Sequence, residues 1–260
     1  MPLESSSLIL LTLSFFVVAT LYSAVGFGGG SSYLALLTLV LTSFFAIRST
    51  ALLCNLTVVT GSCYLYYKNG HLALKKFLPF VITSIPMAFI GASFRLKEQV
   101  FFILLALALI FSAIALIYQT VAINSNFDTK KYPPYLSYLL GAGIGFLSGL
   151  VGIGGGIFLA PVLNHMKWEK PIVIAALASF FILVNSISGL GGLIVSDSFE
   201  LFWPEILGLL FAVLMGGQIG ARLSIGKLSA KRIRILTGIL VLFVGIRVLL
   251  KNGLEITIFP

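Results

Sequence analysis

The chain has 260 residues, of which 59% are hydrophobic and only 10% are charged, and its mean hydropathy is +1.10. A soluble domain carries about 25% charged residues, so this composition excludes an ordinary soluble enzyme and indicates a polytopic, all-α membrane protein. The net charge of +9 comes from 17 basic residues that lie mostly in short loops, as the positive-inside rule expects. We therefore expect the lipid bilayer as a partner and no nucleic acid.

Ten apolar stretches follow one another along the chain, and a polar segment divides them into two sets of five. The first set covers residues 6–26, 31–47, 49–67, 73–95 and 99–120, and the second covers 135–152, 156–166, 171–195, 203–224 and 232–250. We expect a first repeat over 1–123, a polar cytoplasmic linker over 124–134 and a second repeat over 135–260, which together form one membrane domain.

A glycine-rich motif is written once in each set. Residues 26–30 read "GFGGG" and residues 152–156 read "GIGGG", an offset of 126. Asn55 and Asn185 match at an offset of 130, which pairs them as equivalent positions of a duplication. Glycine weakens a helix by about 1 kcal/mol relative to alanine, so each motif is expected to interrupt a helix where bare backbone is needed.

The stretch after the second motif predicts a hairpin. Residues 156–166 would rise only about 16 Å as a helix, whereas the hydrocarbon layer is about 30 Å thick. We therefore predict two inverted repeats, each with a glycine-interrupted helical hairpin plus three transmembrane helices. This arrangement places 12 of the 17 cations in the cytoplasm and five outside, whereas a single pass through each motif gives at best 10 and seven.

Inverted repeats with interrupted helices are typical of secondary transporters, and a helix N-terminus attracts anions. A small anion is the expected substrate. The candidate substrate-binding residues are Gly28, Gly29, Gly30, Ser31, Asn55, Gly154, Gly155, Gly156 and Asn185, with Ser32, Cys54, Ser148, Arg95 and Arg222 as weaker candidates. In the competing interpretation, the two asparagines hold helices together by hydrogen bonds and the two arginines reach the headgroups. Gly216, Gly217 and Gly220 are expected to be close-packing positions between helices.

Other function classes receive little support from the sequence. No Gly-Lys-Ser/Thr follows either motif, and no acidic residue lies in the middle of an apolar stretch. The spacing of the cysteines and histidines assembles no metal site, and we expect no cofactor and no enzyme activity. The disfavoured alternative is an intramembrane enzyme that pairs a serine with a histidine, drawn from Ser31, Ser148, His71 and His165.

The two halves resemble the TauE/SafE sulfite exporter family. The resemblance rests on "SAVGFGGGSS" (23–32) with "SGLVGIGGGIFLAPVL" (148–163), on "STALLCN" (49–55) with "ASFFILVN" (178–185), and on "IGARLSIGKLSAKRIRILTGILVLFVGIRVLL" (219–250). The first half departs from the family pattern, with Ser31 and Ser32 after its glycines and no counterpart of Pro161.

The resemblance implies a bacterial inner-membrane permease for sulfite or a small organosulfonate, and we expect potential-driven export by alternating access. A transporter of another small anion such as a carboxylate, working inward, and a passive anion channel are the alternatives. The sequence leaves the oligomeric state open.

Overall fold

The computed structural model describes residues 5–38, 40–41, 43–94, 96–122, 129–201, 203–225 and 230–254. Within these ranges the chain forms ten α-helices and no β-strand, and seven segments are long and apolar enough to cross a membrane. This confirms the polytopic helical class. The helices are α1 Ser5–Ser23, α2 Gly30–Leu37, α3 Phe44–Lys68, α4 Leu74–Ser93, α5 Glu98–Ala122, α6 Pro134–Val151, α7 Gly156–His165, α8 Pro171–Val195, α9 Ile206–Ile225 and α10 Ala230–Val248, which a π-helical turn, Leu249–Gly253, follows.

The helix boundaries agree with the apolar stretches except between α2 and α3. The stretch 31–47 was predicted to be one element, but α2 ends at Leu37 and α3 begins at Phe44. The physical reason is a helix cap, because the side chain of Ser43 accepts a hydrogen bond from the N–H of Ala46 at 3.3 Å. Serine is a preferred residue at this position. Both halves therefore contain a short helix after their glycines.

The hairpin formed by α6 and α7 begins and ends at the same end of the helical bundle. The N–H of Lys130 donates to the carbonyl oxygen of Lys167 at 3.0 Å, and the hydroxyl of Tyr132 donates to the carbonyl oxygen of Met166 at 2.7 Å. Glu169 lies beside them and forms an ion pair with Lys76, at the start of α4. We call this the Glu169 end of the bundle.

The opposite end joins the start of α3 to the connection between α8 and α9. The hydroxyl of Ser43 donates to the carboxylate of Glu200, and the N–H of Glu200 donates to the hydroxyl of Ser49 at 3.3 Å. We call this the Glu200 end. Helices α3 and α8 run between the two ends in opposite directions.

The two halves are interlocked by their first helices. Helix α1 packs chiefly on α9, and α6 packs chiefly on α4. Small residues allow both contacts: a Cβ added at Gly220 would lie 2.2 Å from the carbonyl oxygen of Thr20, and one added at Gly149 would lie 2.1 Å from that of Ala88. At Gly216 a Cβ would also lie 2.4 Å from a carbonyl oxygen of α1, that of Phe16, and at Gly217 it would lie 3.0 Å from the side chain of Val58 in α3. Both contacts agree with the close-packing role expected for these glycines.

Candidate functional site

Two glycine segments, residues 26–30 and 152–156, lie buried inside the helical bundle. Five of their glycines adopt the left-handed conformation, which side chains disfavour: Gly26 (φ 86°), Gly29 (φ 91°), Gly152 (φ 71°), Gly154 (φ 78°) and Gly155 (φ 81°). This conformation ends α6 at Gly152 and turns the chain into α7. The structure therefore explains why both segments need glycine.

Asn55 connects the two segments. Its side-chain oxygen accepts the N–H of Gly30, the first residue of α2, at 2.9 Å, and its side-chain nitrogen donates to the carbonyl oxygen of Ile153 at 3.0 Å. A Cβ added at Gly28 would lie 2.1 Å from the Asn55 side-chain oxygen. The backbone of both segments is therefore held together by one amide.

Asn185 does not occupy the equivalent place in the second half. Helices α3 and α8 begin and end 127 residues apart (44 to 171 and 68 to 195). At this offset the counterpart of Asn55 is residue 182, so the prediction that Asn185 is its equivalent is wrong by three residues. Ile182 takes the position of Asn55: a Cβ added at Gly156 would lie 2.6 Å from the Cδ1 of Ile182, much as one at Gly30 would meet Asn55. Asn185 lies almost one helical turn further along α8.

Around the first glycine segment, three hydroxyl groups pair with one another and a fourth does not. The hydroxyl of Tyr22 lies 3.3 Å from that of Ser31 and 2.7 Å from that of Ser32. Tyr33 is fully buried and stacks on Phe15, with ring centroids 4.6 Å apart. Its hydroxyl is 2.8 Å from the position of a Cβ on Gly29 and has no hydrogen-bond partner among the described residues. Sequence reasoning missed both tyrosines, because only the folded structure brings their hydroxyls next to the glycine segment.

Around the second glycine segment, several buried polar side-chain groups have no hydrogen-bond partner among the described residues. The hydroxyls of Ser148 and Ser186 and both polar atoms of the Asn185 side chain are buried, with no hydrogen-bond partner in the described part of the chain. The Ser186 hydroxyl is 3.1 Å from the Cβ position of Gly154, and the Ser148 hydroxyl is 3.2 Å from that of Gly155. Both hydroxyls therefore flank the turn that precedes α7.

The backbone at this turn also leaves donors free. The N–H groups of Phe158 and Leu159 donate to the carbonyl oxygen of Gly155, at 3.0 and 3.1 Å. For the N–H groups of Gly155, Gly156 and Ile157, no partner is found within the described residues. In the first half, by contrast, Asn55 accepts the N–H of the residue that begins α2. The N–H groups of Gly29 and Ser31 also find no partner within the described residues, so the second segment offers one more unused backbone donor than the first.

Arg48 is a charged neighbour of the second segment that sequence reasoning missed. Its side chain is 2% exposed, and its Nη2 donates to the carbonyl oxygens of Gly149 and Leu150 at 3.2 and 3.3 Å. Its Nε is 3.7 Å from the Cβ position of Gly152. In the sequence, Arg48 falls between the apolar stretches 31–47 and 49–67 and would count among the five cations expected outside. Because α3 begins at Phe44, directly after its capping residue Ser43, Arg48 instead lies inside a helix.

The remaining candidates are less directly placed. Cys54 is a free, buried cysteine of α3, one residue before Asn55. Arg222 is exposed in the last turn of α9, and Arg95 lies outside the described residues. Among the described side chains, no group of three or more histidine, cysteine, aspartate or glutamate residues has the geometry to hold a metal ion.

The sulfite exporter TauE/SafE family model matches residues 11–248, which is nearly the whole chain. The chain belongs to the TauE/SafE family. It is 36% identical to the probable membrane transporter protein y4hK of Sinorhizobium fredii over 92% of this chain and 97% of that protein. It is 28% identical to the probable membrane transporter protein YunE of Bacillus subtilis over 95% of this chain and 98% of that protein. No solved structure matches the chain. This TauE/SafE protein is therefore a multi-pass membrane transporter.

Proposed function

We propose that this transporter exports a small sulfur-containing anion, such as sulfite or an organosulfonate, by alternating access around the second glycine segment. The observation that carries the proposal is the group of hydrogen-bond donors at the start of α7 for which the described residues supply no acceptor. The N–H groups of Gly155 and Gly156 and the nearby hydroxyls of Ser148 and Ser186 all lack a hydrogen-bond partner within the described ranges. An oxyanion accepts several hydrogen bonds and donates few, so it matches a site that consists of donors.

The magnitudes are sufficient for reversible binding. Removing an ion from water costs several kcal/mol even after relaxation, whereas one helix terminus contributes at most about 2 kcal/mol. Hydrogen bonds to a charged group contribute roughly 1.5–3 kcal/mol each. Two backbone N–H groups and two hydroxyls would therefore offset the desolvation with a small surplus, and a transporter must also release its ligand.

The depth of the second segment supports a site near the membrane midplane. Helix α7 has ten residues and rises about 15 Å, which is half of the roughly 30 Å hydrocarbon layer. Its far end contacts the linker at the Glu169 end, where the charge distribution of the sequence predicts the cytoplasm. The Ser148 and Ser186 hydroxyls then lie about midway through the bilayer.

The contacts at the two ends support inverted repeats. The linker before α6, the end of α7 and the start of α4 share the Glu169 end, whereas the starts of α3 and α9 approach the Glu200 end. A single pass through each glycine segment would put Lys76 and Glu169 on opposite faces of the membrane. The hairpin arrangement allows their ion pair.

The interlocking also indicates which parts move. Because α1 packs on α9 and α6 packs on α4, the two sequence halves are poor candidates for separate rigid bodies. We propose that α1 with α9 and α4 with α6 form the two bodies, which rock about α3 and α8 and expose the site to each face alternately.

A purified-protein binding screen tests the substrate class. Thermal unfolding is measured in detergent with sulfite, thiosulfate, sulfoacetate, taurine, sulfate, acetate and chloride at matched ionic strength. A ligand at a hundred times its dissociation constant adds about 2.7 kcal/mol to the free energy of unfolding, and Gly155→Val serves as the non-binding control. Stabilisation by sulfite or a sulfonate supports the proposal. Stabilisation by acetate alone would favour a carboxylate transporter, and stabilisation by none would contradict the proposed site.

Flux measurements test the direction and the mechanism. In proteoliposomes, an inside-negative potential should accelerate efflux of labelled sulfite, because 100 mV changes the free energy of one charge by about 2.3 kcal/mol. Efflux that is independent of potential would contradict potential-driven export. Single-channel currents would instead favour a passive anion channel.

A further inference from the structure

The two glycine segments have corresponding neighbours in α3 and α8, and one pair of these neighbours differs by a positive charge. With α3 and α8 matched at an offset of 127, the counterpart of Arg48 is Ala175. A Cβ added at Gly26 would lie 2.6 Å from the Cβ of Ala175, whereas one added at Gly152 would lie 3.7 Å from the Nε of Arg48. The first segment is closed by a methyl group, and the second is bordered by a guanidinium.

Arg48 is buried, and no acidic side chain among the described residues pairs with it. It is the one lysine or arginine that is buried among the described side chains, and the one ion pair found in the described ranges joins Lys76 to Glu169. Glu200 approaches the start of α3, but its carboxylate accepts from Ser43 and its N–H donates to Ser49. A buried charge is costly unless an opposite charge accompanies it.

The partners that Arg48 does have use only part of its side chain. Nη2 donates to the two carbonyl oxygens at the end of α6, and the guanidinium carbon lies 5.5 and 5.4 Å from the ring centroids of Phe44 and Phe101. The Nε–H has no partner within the described residues. Guanidinium groups bind oxyanions by donating from several N–H groups in one plane, and the free Nε–H is available for this.

We infer that Arg48 supplies the full positive charge of the anion site, on the side of the second glycine segment that faces the Glu200 end. This inference rests on the proposed function. The bound anion is the missing counter-charge of Arg48. The counterpart position toward the Glu169 end is occupied by Ala175, which is uncharged. The anion site is therefore electrostatically asymmetric, because the one buried cation among the described residues lies toward the Glu200 end.

A purely structural role is the competing explanation, since a cation at a helix C-terminus also stabilises the helix. The two explanations differ in what they predict for ligand binding. If Arg48 only caps α6, its replacement lowers the melting temperature and leaves the dissociation constant of the anion unchanged. If Arg48 binds the anion, its replacement raises that constant.

The first test measures sodium sulfite binding by thermal shift in three full-length variants, with sodium acetate as the ionic control. We expect Arg48→Gln to raise the sulfite dissociation constant at least tenfold and Arg48→Lys to raise it less. Arg247→Gln, at an exposed arginine in the last turn of α10, should remain within twofold of wild type. An unchanged constant in Arg48→Gln overturns the inference and leaves the proposed function standing.

The second test does not depend on a variant that loses the charge. The chain has six arginines, so a sample labelled with ¹⁵N at arginine Nε gives few resonances, and Arg48→Lys assigns the one that belongs to Arg48. Titration with sodium sulfite should shift this resonance saturably, with the dissociation constant of the thermal-shift experiment. If sulfite leaves wild type unstabilised, the remaining anions of the screen are titrated in the same way. A resonance that stays fixed with every anion overturns the inference, whether or not sulfite is transported.

Discussion

The side-chain nitrogen of Asn55 donates to the carbonyl oxygen of Ile153 at 3.0 Å, across 98 positions of the chain. The other end of the same amide accepts the N–H of Gly30. One side chain of the first half therefore fixes the backbone of both glycine segments. The sequence suggested that Asn55 contacts substrate. Such a contact would have to use the hydrogen-bonding sites of the amide that these two bonds do not occupy.

Replacing Asn55 with leucine should destabilise the protein, whereas replacing Asn185 with leucine should not. Asn55→Leu leaves the N–H of Gly30 and the carbonyl oxygen of Ile153 unpaired, and each unpaired buried group costs about 1–3 kcal/mol. Asn185→Leu removes an amide that has no partner among the described residues, so the ligand-free protein should be as stable as wild type or more so. Thermal unfolding in detergent measures both. Equal destabilisation by the two variants would contradict the contacts assigned to Asn55.

Glycine substitutions should separate the glycine segments from ordinary helical glycines. Gly155→Ala places a Cβ 2.9 Å from atoms of Phe181 and Ser148, at a φ of 81°, and should abolish transport. Gly208→Ala is the matched control, because nothing lies within 4 Å of its Cβ position. There alanine should stabilise the helix by about 1 kcal/mol. Membrane insertion is checked by expression level, and flux is measured in proteoliposomes. Normal flux in Gly155→Ala would contradict the proposed site.

The hydroxyls of Ser148 and Ser186 should contribute to the affinity for the anion and not to the stability of the ligand-free protein. Ser148→Ala and Ser186→Ala each remove a donor to the anion, and a hydrogen bond to a charged group contributes roughly 1.5–3 kcal/mol. The dissociation constant should therefore rise about tenfold or more in each variant. Ser112→Ala in α5 is the control, since this hydroxyl is equally buried and unpaired in the described part of the chain. An increase of the same size in Ser112→Ala would indicate a general packing effect.

Acid should weaken the contact between Lys76 and Glu169. The hydrogen bond and charge of Lys76 lower the pKa of the Glu169 carboxyl. Because the folded-state pKa lies below the unfolded one, the stabilisation is fully present above the unfolded pKa and is lost as pH falls through the folded pKa. Lys76 is largely exposed, so the effect at neutral pH is at most about 1 kcal/mol.

The pH dependence of the melting temperature in Lys76→Met tests this. The variant should melt below wild type at pH 7 and converge with it under strongly acidic conditions. Lys75→Met, at the neighbouring exposed lysine, should follow wild type throughout. A difference between Lys76→Met and wild type that persists in acid would rule out the ion pair as its cause.

Membrane-impermeant labelling tests the inverted arrangement. In a background without Cys54 and Cys63, single cysteines at Lys76, Lys130 and Lys167 should react from the cytoplasmic face, and a cysteine at Glu200 should react from the outer face. The contacts at the Glu169 end require the first three to agree. Labelling of positions 76 and 167 from opposite faces would contradict the hairpin.

The sequence allowed most of the fold to be predicted, because apolar stretches bounded by prolines and charges mark helices well. Helix α8 was predicted at 171–195 and forms there, with Pro171 in its first turn. The break between α2 and α3 was missed because residues 38–44 read "TLVLTSF", with no charged residue, glycine or proline to mark a boundary, and because the cap is one serine among several hydroxyl residues.

The candidate site was less predictable, because its features depend on register and on three-dimensional contact. Matching identical residues in the two halves paired Asn55 with Asn185. The ends of α3 and α8 show that the corresponding position is three residues earlier, at residue 182. Arg48 is also ambiguous in sequence, where one arginine between apolar runs looks like a loop residue. Only its contacts with Gly149 and Leu150, about a hundred positions away, place it inside the bundle.

The interlocking of α1 with α9 and of α4 with α6 has a consequence for how the chain is made. Helix α1 leaves the ribosome well before its main packing partner, which begins at Ile206, so the small-residue contact at Gly220 forms only after the intervening helices are made. The half that begins with α1 would leave this helix without its main packing partner if it were made alone, and the same holds for α6 without α4. Both halves must therefore be in the membrane before either of these helices is fully packed.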